Sequence, residues 1–184
     1  VRAGVARIPE DRHAVGVVGD LPVWENAVLE RVTTPAFSRA GIVKRGAAQA
    51  HARKLIQRFD VRGTDAQGVH TTTRALSGGN MQKLILGRAL VGDPGSDKPP
   101  TLIVADQPTW GLDIGAVAYV HQQLLDACAA GAAVLLISED LDEIFALADR
   151  IAVIHDGRLS AARQAAEWTL ADIGLAMAGS AHAH

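Results

Sequence analysis

Short apolar runs alternate with amphipathic segments along the second half of the chain, and this alternation constrains the fold more than any other feature. The runs "TLIVA" (101–105) and "AAVLLIS" (132–138) have strand length, and residues 114–128 between them carry apolar side chains at helical spacing. Strands joined by helices form parallel sheets with right-handed crossovers. The sequence therefore predicts an α/β fold in which two buried strands of a parallel sheet are flanked by helices.

The first half of the chain is predicted to be mainly helical. Residues 5–9 form a short strand that ends at a proline, and helices are expected over 24–32, 47–59 and 79–91. Residues 21–90 should stand as a lobe beside the sheet. The segment "GDPGSDKPP" (92–100) contains three Pro and two Gly, which predicts an exposed loop.

The end of the chain is predicted to continue the alternation. Asp140 and Glu143 form a D-x-x-E pair that starts a helix. Residues 150–160 then form a strand, a turn at the Asp-Gly pair 156–157 and a second short strand. Thr169 caps a last helix, whose apolar face is expected to comprise Leu170, Ile173 and Met177.

Charge and cysteine content exclude several classes of protein. The net charge of −2 gives no reason to expect a nucleic-acid partner. Cys128 is the only cysteine, so no intrachain disulfide can form, which fits a reducing, cytoplasmic setting. We find no membrane-spanning apolar run, no sustained heptads and no group of His, Cys and Asp at metal-ligand spacing.

The stretch "LSGGNMQK" (76–83) places a Ser and two Gly at the start of a predicted helix. Backbone N–H groups at a helix N-terminus favour anions, and Gly lets a ligand approach them closely. Ser77, Gly78 and Gly79 could therefore form a phosphate-binding cup. The alternative is that Ser77 only caps the helix, which is the commoner role of such a serine.

A second stretch, "TLIVADQPTWGLD" (101–113), puts Asp106 at the carboxyl end of an apolar strand. Ligands bind at that edge of a parallel sheet, and a carboxylate there can hold Mg²⁺ through water. A strand-end Asp on its own is equally typical of a turn. The two stretches together, in this order and spacing, are the specific signal.

These stretches resemble the motifs of ABC-type ATPases. "LSGGNMQKLILGRAL" resembles the signature motif and its helix, and "LIVADQPTWGLD" resembles the Walker B strand followed by the D-loop. "LLISEDLDEIFALADRIAVIHDGRL" is similar to the segment with the switch residue, and "IPEDR" to the Q-loop region in the second ATPase half of tandem simple-sugar or nucleoside importers. The resemblance covers about residues 4–179.

The resemblance implies a partial P-loop NTPase-like fold with a helical signature subdomain. Its four segments are the Q-loop region of the core (1–20), the signature subdomain (21–91), the Walker B, D-loop and switch part of the core (92–161), and a C-terminal helix and tail (162–184). No P-loop, G-x-x-x-x-G-K-[ST], occurs in the chain. The family carries it before the Q-loop, so this chain alone is not expected to hydrolyse ATP.

The family's function is ATP-driven import, with two ATPase halves packed head to tail. The implied ligands are ATP and Mg²⁺, and the implied partners are the other ATPase half, a membrane permease and, indirectly, a solute-binding protein, with no nucleic acid. The expected location is the inner face of the cell membrane. The implied nucleotide-binding residues are Ser77, Gly78, Gly79, Asn80, Gln82 and Asp113, and Asp106 holds Mg²⁺ through water.

Three positions depart from the family pattern. Gln107 stands where the usual glutamate base follows the Walker B strand, Glu139 where the switch histidine is common, and Glu10 at the Q-loop glutamine position. An amide cannot accept a proton as a carboxylate does. Either these loop positions have drifted without consequence, or the chain's own site is degenerate and its signature completes the site of the other half.

Two other functions fit parts of the sequence. The chain could belong to a silent regulatory or dimerisation module, or to a soluble ABC-type ATPase acting on DNA or ribosomes, although the latter is disfavoured by the charge and the missing heptads. Trp24 and Glu25 fall where the family's permease-binding cleft begins. Trp110 precedes the D-loop glycine and is either a partly buried structural residue or part of the dimer interface.

Overall fold

The computed structural model describes residues 4–92 and 100–179. The chain divides into two compact units, Val1–Ile137 and Ser138–His184. The predicted loop at 92–100 and the end of the C-terminal tail lie largely outside the described residues. The predicted boundaries of the four functional segments remain a prediction.

A three-stranded parallel sheet forms the base of the first unit. Its order is β1 (Val5–Ile8), β4 (Leu102–Asp106) and β5 (Ala133–Ile137), with Ile8 paired to Ala105 and Asp106 paired to Ile137. Helix α4 (Ile114–Ala129) connects β4 to β5 and contacts β5. The predicted α/β fold is therefore confirmed, and the carboxyl ends of all three strands lie at one edge.

Helices form most of the rest of the first unit. They are α1 (Val23–Val28), α2 (Arg45–Arg58) and α3 (Gly78–Leu90), within two residues of the predicted starts. A π-helical turn at Arg12–Gly16 follows β1, and a two-stranded hairpin of β2 (Ser38–Arg39) and β3 (Ile42–Val43) precedes α2. The fully buried side chains that join these elements include Phe37, Leu55, Phe59, Met81, Leu84 and Ile85.

The prediction that 132–138 is a buried strand is wrong in one respect. A strand forms and pairs in parallel with β4, but β5 is the outermost strand of the described sheet. Leu135 is 53% exposed and Ile137 is 45% exposed. The apolar composition correctly indicated a strand, while its burial depends on neighbours that the described residues do not supply.

The second unit contains the remaining short elements. Helix α5 (Leu141–Leu147) is followed by β6 (Arg150–Ile151), β7 (Ile154–His155), β8 (Arg158–Leu159), β9 (Arg163–Gln164) and α6 (Leu170–Met177). Asp140 caps α5, and the predicted turn at 156–157 joins β7 to β8. Thr169 caps α6 and Ile173 is buried, as predicted, but Leu170 and Met177 are exposed, and Ala176 is the other buried side chain of the helix.

Candidate functional site

The signature turn lies at the surface of the first unit. Ser77 is exposed and caps α3, and its Oγ accepts hydrogen bonds from the Asn80 backbone N at 3.4 Å and from Asn80 Nδ2 at 2.8 Å. A hydroxyl oxygen that accepts from two donors keeps its own proton to donate. The cap and the phosphate cup are therefore compatible, because capping uses the lone pairs of Ser77 and leaves its O–H available.

Asn80 and Gln82 support the turn in different ways. Asn80 Oδ1 accepts from the backbone N of Arg62 at 2.8 Å, which fixes the amide that contacts Ser77. Gln82 is only 2% exposed, and its Nε2 donates to the carbonyl oxygen of Pro108 at 2.7 Å. The nucleotide-binding role of Gln82 stays a prediction, and in this structure its buried side chain contacts the loop after β4 instead of solvent.

The loop after β4 lies against the signature turn of the same chain. Asp113 caps α4 through a hydrogen bond from the Ala116 backbone N to its Oδ1 at 3.0 Å. A Cβ at Gly79 would lie 3.4 Å from Ala116 Cβ and 3.9 Å from Asp113 Oδ2. The absence of a side chain at Gly79 therefore leaves room for the start of α4, and Asp113 lies beside Gly79 on an exposed surface.

Arg12 is a functional candidate that the sequence analysis missed. It opens the π-helical turn after β1, and its Nη2 donates to the carbonyl oxygen of Trp110. Asp11 fixes this turn, because its Oδ1 accepts from the backbone N of His13 at 2.9 Å and of Ala14 at 2.8 Å. These two bonds, that of Ala14 first, hold the pKa of Asp11 below its usual value. The sequence offered only an arginine four residues after the end of β1, and no signal for its contact with Trp110.

A second buried network joins α3 to α1. Asn26 is fully buried, and its Nδ2 donates to Thr73 Oγ1 at 2.8 Å and to the Val18 carbonyl at 2.9 Å. Arg88 Nη2 donates to the Gly16 carbonyl at 2.7 Å, and Arg88 pairs with Glu30 at 3.4 Å. Burial lowers the pKa of Arg88, and the charge of Glu30 opposes that shift. The signature helix is thus held to the segment that follows β1.

The carboxyl edge of the sheet carries the three altered or acidic positions of the first unit. Asp106 ends β4 and is half-buried, and Glu10 is exposed two residues after β1. Gln107 has a φ of +45°, and its backbone N donates to the Ile137 carbonyl at 2.8 Å. A left-handed backbone is strained for a residue with a side chain, so the surrounding turn holds Gln107 in place.

Two further positions complete the comparison with the sequence. Glu139 is exposed and lies in the second unit, two residues after β5 ends. Trp110 is 68% exposed, so the interpretation of Trp110 as a partly buried structural residue is wrong. The contact that Trp110 makes with Arg12 uses its backbone carbonyl and does not involve the ring.

A shallow cleft opens beside α1. It has a volume of about 210 Å³, and Trp24, Glu25, Val43 and Arg45 are among the residues that line it. Within the described residues, no group of three or more His, Cys, Asp or Glu side chains could hold a metal ion. No helix in that part of the chain is long and apolar enough to cross a membrane.

Comparison with known proteins gives relatives of one kind. No family model matches the chain. A guanosine import ATP-binding protein of Bacillus subtilis is 45% identical over 97% of this chain, which spans 33% of that relative. A glucose import ATP-binding protein of Haloferax volcanii is 41% identical over 98% of this chain, which spans 32% of it.

The fold has a counterpart among solved structures. A dimeric ATP-binding cassette, in a post-hydrolysis state with ADP and phosphate, matches with a TM-score of 0.65 at 20% identity. The match covers 88% of this chain and 62% of that one. Compared with the two curated import proteins above, the chain spans about a third of the length of each.

Proposed function

Because the chain belongs to the ABC family of ATP-binding proteins, we propose that it is the signature-bearing part of the ATP-binding subunit of an importer for nucleosides or simple sugars. The observation that carries this proposal is the turn at the start of α3, where Ser77 is exposed and the half-buried Gly78 and Gly79 have no side chain to cover their backbone N–H groups. The relatives named as guanosine and glucose import proteins support the class of cargo.

The turn would bind the γ-phosphate of ATP held by another ATPase half. The first N–H groups of α3 have no partner within the helix, and they carry the positive end of its dipole. Ser77 adds a hydroxyl donor that Asn80 orients. The N–H groups of Gly78 and Gly79 can approach an oxyanion closely, because no Cβ stands in the way. These donors would stabilise charge on the transferring phosphoryl group.

The chain's own strand edge would bind nucleotide without hydrolysing it efficiently. Asp106 is half-buried at the end of β4, and one carboxylate fits a Mg²⁺ ion that keeps several of its waters. When bound, that ion would neutralise phosphate charge. Gln107 follows and cannot act as a general base.

The cleft beside α1 would receive the permease. Its lining combines the rings and stems of Trp24 and Val43 with the charges of Glu25 and Arg45, which suits a short amphipathic helix. The subunit would then lie at the inner face of the membrane, held there by the permease. A solute-binding protein outside the membrane would deliver the cargo.

A charge reversal at the signature tests the proposal. Aspartate caps helices as well as serine does, so Ser77→Asp should keep α3 intact while placing a negative charge against the γ-phosphate. We expect the complete ATP-binding subunit carrying Ser77→Asp to lose at least about 10²-fold of its ATPase turnover, with an unchanged melting temperature. Ser77→Thr keeps the hydroxyl and is the matched control.

Two results would contradict the proposal. Unchanged turnover in Ser77→Asp would mean that the turn does not face ATP. A complete subunit that binds ATP but shows no turnover even with the native sequence would instead favour a silent regulatory module, to which the amide at Gln107 already points.

A further inference from the structure

One buried arginine is not explained by the proposed function. Arg12 is only 8% exposed, and the residue that accepts its hydrogen bond, Trp110, lies 98 positions further along the chain. Its Nε is buried without a hydrogen-bond partner. Burying a guanidinium with an unsatisfied nitrogen opposes folding, so stability alone does not account for an arginine here.

The guanidinium lies between the signature turn and the loop after β4. A Cβ at Gly78 would lie 3.9 Å from Arg12 Nη1, and a Cβ at Gly111 would lie 3.6 Å from Nη2. A cation beside the N-terminus of α3 is unfavourable for that helix, because the dipole is positive at the same end. At this position Arg12 is better suited to holding the signature turn and the loop after β4 together than to stabilising either of them alone.

The loop over residues 108–113 is attached to α3 at two further points. Gln82 Nε2 donates to the Pro108 carbonyl at 2.7 Å, and the end of the loop at Asp113 lies beside Gly79. Between these points the loop contains Gly111, whose φ is +67°. Arg12 supplies the middle attachment, at the most adaptable part of the loop.

We propose that Arg12 is a positioning residue that locks the 108–113 loop to the signature turn. Ser77 and Asp113 then approach ATP across the interface as one rigid edge. We expect Arg12 to affect how Ser77 and Asp113 are aligned with ATP and not how tightly ATP binds, because Arg12 acts through a backbone carbonyl and is itself buried. This role rests on the proposed function, since it assumes that the signature turn faces ATP.

The test compares variants in the complete ATP-binding subunit. Arg12→Met should lower kcat by roughly ten- to a hundred-fold, since small displacements of binding groups have effects of that size, while KM for ATP stays unchanged. Arg12→Lys should lower kcat as Arg12→Met does. An ammonium lacks the planar fork that binds the Trp110 carbonyl and also lies beside Gly78. Arg74→Met removes the same charge three residues before Ser77, from an exposed side chain, and should leave kcat unchanged.

Two readouts separate positioning from a general structural role. Gln82→Met loosens the same loop, so its effect on kcat should be less than additive with that of Arg12→Met. The amide of Trp110 donates to the carbonyl of Gln107, just before the loop, and that of Leu112 donates to the carbonyl of Thr109 within it. Their hydrogen exchange should be several-fold faster in Arg12→Met than in Arg74→Met. If Arg12→Met does not fold, Arg12→Gln takes its place.

The failures are distinguishable. Unchanged kcat in Arg12→Met, or strict additivity with Gln82→Met, would overturn the positioning role. A raised KM that Arg12→Lys restores would also overturn it, because Arg12 would then bind phosphate directly. If Ser77→Asp leaves turnover intact, the proposed function itself fails. If Ser77→Asp abolishes turnover and Arg12→Met does not lower it, only the role of Arg12 fails.

Discussion

The signature turn and the carboxyl edge of the sheet, with β5 beside it, differ in how well their residues are supported by neighbouring side chains. The signature turn is supported by Asn80 and Arg62, and the loop next to it is held by Arg12 and Gln82. At the carboxyl edge, an amide stands where a carboxylate base is usual, and the neighbouring strand leaves Leu135 and Ile137 exposed. The contrast supports the proposal that the signature of this chain contributes to a neighbour's site, while its own strand edge contributes little to catalysis.

The largest expected effect comes from restoring the missing base. In the complete subunit with Ser77→Asp, the proposed function assigns the remaining turnover to the site that contains Asp106. Adding Gln107→Glu should raise that turnover by roughly 10²-fold or more, because a general base contributes that much. Gln107→Asn keeps the amide, tolerates the left-handed backbone and should give no gain. No gain from Gln107→Glu would mean that the edge is inactive for a reason other than the base.

A stability comparison contrasts a buried side chain of α3 with an exposed side chain of β5. Ile85 is fully buried in α3, so Ile85→Ala should lower the free energy of unfolding by about 2–5 kcal/mol. Leu135→Ala, at a side chain that is 53% exposed, should lower it by less than about 1 kcal/mol. Urea unfolding of the 184-residue chain measures both. Equal losses would mean that β5 is covered in solution, and repeating the measurement at lower protein concentration would reveal self-association.

The smallest expected effect concerns pH and the turn that presents Arg12. The pKa of Asp11 lies below its ordinary value of 3.8, because the Ala14 and His13 amides donate to it. Its contribution to stability is therefore present above that value and is lost as the pH falls through the lower, folded-state pKa. Asp11→Asn keeps the cap and should flatten the pH dependence as the pH falls through the ordinary value and below it.

The measurement for Asp11 is the free energy of unfolding at each pH. Asp11→Ala is the control, because it removes the cap and should lower stability at every pH measured. An unchanged pH profile in Asp11→Asn would show that the carboxylate is not what fixes the turn.

Local patterns predicted most elements because they depend on neighbouring residues. The helix starts, the caps at Ser77, Asp140 and Thr169 and the turn at 156–157 follow from spacing and side-chain type. The hairpin of β2 and β3 was missed, because Ala40 adopts a φ of +51° at a position where Asn or Gly is the usual signal. Strand burial was wrong for β5, since it depends on which strands pair beyond it.

Short motifs predict the residue types of the candidate site, whereas the contacts between its residues could not be predicted from the sequence. Ser77 and Asp106 are identified by short motifs, and the comparisons confirm the kind of ATPase to which such motifs belong. Arg12 contacts a carbonyl 98 residues away, and no local pattern in one sequence indicates that contact. Gln82 follows the signature motif in sequence, yet the helical period turns its side chain inward toward Pro108.

The exposure of Trp110 gives the molecule a built-in optical probe. The chain has three tryptophans, and Trp24 and Trp168 are both buried, whereas the ring of Trp110 meets solvent. A collisional quencher such as iodide should therefore act mainly on Trp110, whose ring lies one residue before Gly111. If the proposed function holds, a fall in quenching after ATP is added would report the approach of another ATPase half to this loop, without a dye or an engineered label.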